Sequence, residues 1–115
     1  MLLPTLNAHA DIIKTFTIAR FEKAGPLFRL RAEVTFINDS QLYIRETVIG
    51  PAKRKYSYHW QNQAGVLLIR WDNAPDWDVE TFPHHKHLGE QQNVVPSYER
   101  TLQQVLVVIK DAIQN

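Results

Sequence analysis

From Ile12 to Asp72 the chain alternates apolar and polar residues with a period of two, the pattern of half-buried β-strands. In LFRLRAEVTFI, residues Phe28, Leu30, Ala32, Val34 and Phe36 fall on one face, and Arg29, Arg31, Glu33 and Thr35 on the other. IIKTFTIARF (Ile12 to Phe21) has the β-branched content of a strand. QLYIRETVI, KRKYSYHWQ and VLLIRWDN continue the series, and Gly25-Pro26, Asn38 to Ser40, Gly50-Pro51 and Ala64-Gly65 supply the turns. Five strands with such short links predict an antiparallel meander.

The period changes after Asn73. NAPDWDVETFP reads as a loop, longer than a mere packing connection. HHKH follows as a short extended piece that can form a sixth strand, because Pro83 blocks a helix and suits an edge. In PSYERTLQQVLVVIKDAIQN the spacing switches to that of a helix. Tyr98, Leu102, Val105, Leu106, Ile109, Ala112 and Ile113 form its apolar stripe, and Ser97 is the expected cap. The predicted fold class is therefore α+β: an antiparallel meander of five to six strands packed on one face by a long C-terminal helix. Arg29, Arg31 and, in simple register, Arg45 then lie on the face left partly open.

Composition narrows the function classes. Residues 1–115 are expected to form a single domain, and 44% apolar residues suffice for one core. Lys plus Arg (13) nearly balances Asp plus Glu (12), so a nucleic-acid partner would have to be held by a local patch. Such a patch exists in outline, since most basic residues lie between Lys14 and Arg70, whereas Asp72, Asp76, Asp78, Glu80 and Glu90 cluster after it. The chain has no cysteine, which excludes disulfides and thiolate metal ligands. MLLPTLNAHADIIK lacks a basic n-region and is too short and too broken for a signal or a membrane span, so no membrane partner and a cytoplasmic location are expected.

The candidate chemistry lies in Arg70 to His87. In an extended chain, His85 and His87 share one face and His84 and Lys86 the other; Arg70 and Asp72 likewise share a face of the preceding strand. Pairing of the two segments would bring two imidazoles, a guanidinium and a carboxylate to one cleft. Cleavage of RNA by its own 2′-hydroxyl needs an acid and a base near neutral pKa and a cation for the phosphorane. On that reading His85 and His87 are the acid and base, Arg70 or Lys86 is the clamp, Asp72 supports them, and no metal or other cofactor is required. The candidate substrate contacts are His84, Trp77, Tyr98, Arg29 and Arg31. The rival is a metal site made of two imidazoles with Asp72, Asp78 or Glu80. A plainer account makes HHKH a charged edge strand that discourages aggregation, Asp72 an Asx turn and Trp71 a core residue. His59 reads as a wall residue of the sheet, and His9 as part of a weakly structured N-terminus.

Four segments also carry a resemblance: YSYHW (Tyr56 to Trp60), IRWDNAP (Ile69 to Pro75), TFPHHKH (Thr81 to His87) and PSYERTLQQVL. Over the C-terminal half, in order and spacing, the chain resembles the TumE family of toxins from prokaryotic toxin–antitoxin pairs. The resemblance implies a growth-inhibiting toxin held inactive by a cognate antitoxin protein. Together with the histidine segment it suggests an endoribonuclease with RNA as substrate. A non-catalytic interaction module and a homodimer through an edge strand stay open at this level.

Overall fold

The computed structural model describes residues 2–51 and 53–115. A short helix α1 (Leu2–Asn7) is followed by strands β1 (Ile13–Ala24), β2 (Leu27–Phe36), β3 (Gln41–Ile49), β4 (Arg54–Gln61), β5 (Leu67–Asp72), β6 (His85–Leu88) and β7 (Val94–Pro96). Helix α2 (Leu102–Gln114) closes the chain. All seven strands form one antiparallel sheet in sequence order, a pure meander. The sheet has more strands than the five to six expected: the VVP segment pairs its Val94, Val95 and Pro96 with His87, Lys86 and His85.

Alternation decides which face is buried. Leu30, Ala32, Val34 and Phe36 of β2, Leu42 and Ile44 of β3, Tyr58 and Trp60 of β4 and Trp71 of β5 point to one side and are buried there. Leu102, Val105, Leu106 and Ile109 of α2 and Leu6 of α1 complete this core. Removing a side chain such as Phe36 from water contributes about 1.5–3 kcal/mol, so the face with the continuous apolar rows must be the one that the helices cover.

Helix α2 is shorter than its apolar pattern suggested. It starts not at Ser97 but at Leu102, where Thr101 and Gln104 form a capping box: Thr101 Oγ1 accepts from the Gln104 amide at 3.3 Å and Gln104 Oε1 accepts from the Thr101 amide at 3.0 Å. The N-terminus is more ordered than expected. Pro4 lies in the first turn of α1, where its missing N–H costs nothing, and His9 behind it is buried. At the other margin, β1 keeps one free edge; Phe16, Ile18 and Phe21 share the helix side of the sheet yet remain 38–56% exposed. Among the described residues, no helix is long and apolar enough to cross a membrane.

Candidate functional site

The second face of the sheet carries the polar residues, and ladder register fixes their neighbours. Asp72 stands opposite His85, and Arg70 opposite His87, so the imidazole pair, the carboxylate and the guanidinium do meet on one face. On the other flank of β5, Ser57 faces Asp72 and His59 faces Arg70. The pairing continues outward as Ser57 with Arg45, Arg45 with Arg31, and Arg31 with Arg20. A β-bulge between Ile18 and Arg20 brings Arg20 into this row.

At the centre, Asp72 is 5% exposed, His87 1% and His85 not at all. His85 Nε2 lies 2.9 Å from Asp72 Oδ1, and His87 Nε2 lies 3.3 Å from Asp72 Oδ2. The Asp72 oxygens are also held from elsewhere: Oδ1 accepts from the Ala74 amide at 3.0 Å and Oδ2 from Arg70 Nε at 3.1 Å. Asp72 thus makes the expected Asx turn and faces the histidines as well. The far nitrogens of both rings bond to backbone carbonyls: His85 Nδ1 donates to Pro83 O at 2.9 Å and His87 Nδ1 to Gln91 O at 2.7 Å. A carbonyl only accepts, so each Nδ1 carries a proton and each ring is locked in orientation.

The loop of residues 73–84 roofs the pair. Trp77 places its ring centroid 5.6 Å from that of His87, edge to face, and 6.4 Å from that of His85. The two imidazoles are 4.9 Å apart and nearly perpendicular. Asn73 fastens the start of the loop, accepting from the Tyr56 amide and donating to Arg54 O. Thr81 fastens its end, donating to His84 O and accepting from the Ser97 amide. Trp77 is therefore a lid over the histidines, and Trp71 is core, 2% exposed.

Several residues singled out in the sequence lie elsewhere. Lys86 pairs with Trp71 and Val95 on the opposite face, as strand alternation dictates, and cannot act as the clamp. His84 stacks on Tyr56 and bonds its hydroxyl through Nδ1 at 2.9 Å, away from His85 and His87. Tyr98 is 77% exposed in the segment before α2, so it does not line the cleft. Asp78 and Glu80 are exposed on the loop, which leaves Asp72 as the carboxylate beside the imidazoles.

Asp72 and Arg70 open onto a hollow of about 310 Å³, whose wall also includes Arg45, Lys55, Ser57 and Tyr56. A second furrow, bounded by Arg20, Arg29 and Arg31, shares Arg45, Thr47 and Lys55 with the first. The expected Arg29 and Arg31 therefore lie on a basic track leading to Asp72. His59 was read only as a wall residue; its Nδ1 sits 3.3 Å from Arg70 Nη1, and burial followed by the charge of Arg70 lowers its pKa. The signal for His59 was the same two-residue alternation that marks His85 and His87, applied across the ladder.

Curated proteins and solved structures give no match. The family model described as Toxin TumE matches residues 3–113, so the likeness reaches well beyond the C-terminal half, through β1 to β3 as well. With TFPHHKH supplying the buried histidine pair and IRWDNAP the Asp72 that faces it, the chain belongs to the TumE family of toxins.

Proposed function

We propose that this toxin cleaves single-stranded RNA, held along the open face of the sheet with the scissile phosphate in the hollow over Asp72. The observation that carries this reading is the row of Arg20, Arg31 and Arg45 on three neighbouring strands. Like charges directly opposite in a ladder destabilise a sheet. Arg20 is partly offset by Glu22, at 2.7 Å, but Arg31 and Arg45 pair with no carboxylate among the described residues. A phosphodiester backbone supplies the missing negative charge, and Arg70 and Lys55 lie where the row reaches the hollow.

Tyr43 and His59 stand on the same face beside this row, their rings 6.1 Å apart. Half-buried rings on an open sheet face can offer stacking surfaces to unpaired bases. The hollow then offers Arg70 and Lys55 to the charge that develops at phosphorus. His85 and His87 are too deeply buried to touch a substrate directly, so their part is played through Asp72 and the space between them. An antitoxin, as the toxin family implies, would silence the protein by covering the track or the hollow.

The test is cleavage of end-labelled RNA by the purified chain, with DNA of the same sequence in parallel. RNA should be cut and DNA spared, and Asp72→Asn should reduce cutting by about 100-fold or more. Intact RNA with a folded wild-type chain, or equal cutting by Asp72→Asn, would remove the proposal.

A further inference from the structure

We infer that Asp72, His85 and His87 form a binding site for one divalent transition-metal ion, Zn²⁺ being the best match. The argument begins with the protons. Both Nδ1 atoms are committed as donors to Pro83 O and Gln91 O, so the neutral rings present Nε2 as a bare lone pair. Both lone pairs are brought to the same carboxylate, which in its ionised form has only acceptors. Acceptors crowded against acceptors in a dry interior repel one another, unless something positive lies between them.

Arg70 and the Ala74 amide each take one lone pair of Asp72, and neither reaches the imidazoles. A proton is a poor answer for His85. Although Nε2 and Asp72 Oδ1 are within 2.9 Å, Nε2 forms no hydrogen bond and has no other partner, since a ring N–H would not aim at the oxygen. A buried nitrogen in short contact with an oxygen, yet misaligned for a hydrogen bond, instead suits two ligands directed at a common third point.

The dimensions and chemistry agree. One ligand atom from each of the three residues lies within 4.8 Å of the others. A tetrahedral ion with bonds of about 2.0–2.1 Å holds its ligand atoms roughly 3.3 Å apart; the imidazoles approach opposite oxygens of Asp72 at 2.9 and 3.3 Å, so small side-chain shifts would gather the three ligands around one ion. Two imidazoles and one carboxylate suit Zn²⁺ or a neighbouring first-row ion, whereas Mg²⁺ and Ca²⁺ prefer oxygen alone. The Nδ1–carbonyl bonds are the outer-shell contacts that metal-bound histidines usually make. Three protein ligands leave a fourth position for water or a phosphate oxygen, and Asp72 borders the hollow from which either would arrive. The chemical use of the ion rests on the RNA-cleaving reading above, but its binding does not.

The experiment uses the whole chain stripped with chelator, with no RNA present. Titration calorimetry with ZnCl₂ should show one ion per chain, and Co²⁺ should give the visible absorption of a tetrahedral N/O site. Trp77 lies over His87, so Co²⁺ should quench its emission; Trp77→Phe should lose that quenching and still bind. Asp72→Asn and His87→Asn should each weaken Zn²⁺ binding by about 100-fold or more, with near-ultraviolet circular dichroism confirming that both remain folded. No stoichiometric binding by folded wild type, or unchanged binding in both variants, overturns the site. RNA cleavage with excess chelator would also overturn the ion's role in the reaction while sparing the nuclease. Tight Zn²⁺ binding without RNA cleavage would do the reverse.

Discussion

Two groups of polar side chains sit on opposite faces of the same sheet, and they resolve burial in different ways. On the helix side Arg54 Nη2 donates to the Tyr58 hydroxyl at 2.7 Å, that hydroxyl donates to Glu46 Oε1 at 2.7 Å, and Arg54 Nη1 reaches Glu99 at 3.2 Å. Each of these contacts joins a donor to an acceptor, and burial together with the Glu46 charge drives the Tyr58 pKa far up, so the hydroxyl keeps its proton. Around Asp72 the arrangement is different: two ring nitrogens lie 2.9 and 3.3 Å from the carboxylate oxygens, and His85 Nε2 makes no hydrogen bond. Buried polarity alone therefore does not mark a site. What separates the groups is whether the charges are complete without a visitor.

The largest expected effect tests that contrast directly. In chelator, Tyr58→Phe should cost about 1–3 kcal/mol of stability, because Glu46 and Arg54 lose their shared partner, while growth inhibition is retained. Asp72→Asn should abolish growth inhibition yet cost much less stability, because its amide can donate to an imidazole lone pair. Urea unfolding and growth curves after expression without antitoxin supply both readings. Equal destabilisation by the two substitutions would erase the distinction.

A smaller effect is expected on the basic row. Arg31→Glu places an acid between Arg20 and Arg45, and should raise stability by about 0.2–1 kcal/mol. The same change should weaken RNA binding and lower the salt slope by about 1 or more. Gain in one and loss in the other, measured by unfolding and by binding at two salt concentrations, would identify a sheet face kept unstable for its ligand.

The smallest effect concerns His9, a buried ring with both nitrogens unpartnered. Burial, and then the charge of Lys110, lowers its pKa below the usual value. The unfolded chain therefore binds more protons here than the folded one as the pH falls. Stability from this group is complete above about pH 6.5 and is lost below it. His9→Gln should flatten the decline in urea midpoint between about pH 7 and about pH 5.

Much of this was legible from spacing. Period two placed Arg70 with Asp72 and His85 with His87; the same rule turns Lys86 to the opposite face, so the expectation that Lys86 could serve as the clamp ran against the alternation. The burial of the pair was not legible, because it depends on Trp77 in an aperiodic loop and on carbonyls of Pro83 and Gln91 that carry no side-chain signature. The strand Val94–Pro96 was missed because three residues are too few to show a period and one is proline. Thr101-x-x-Gln104 was a readable capping box, passed over because Ser97 follows a proline and looked like an earlier start.

The three central residues belong to adjacent strands whose alignment is set by backbone hydrogen bonds. Sliding β6 by a single step would turn both histidines toward the helices and bring Lys86 up beside Asp72. One residue inserted within His85–Leu88 would therefore dismantle the centre without unfolding the sheet, and so would any change of length between Asn73 and His84 that moved Pro83 O away from His85 Nδ1.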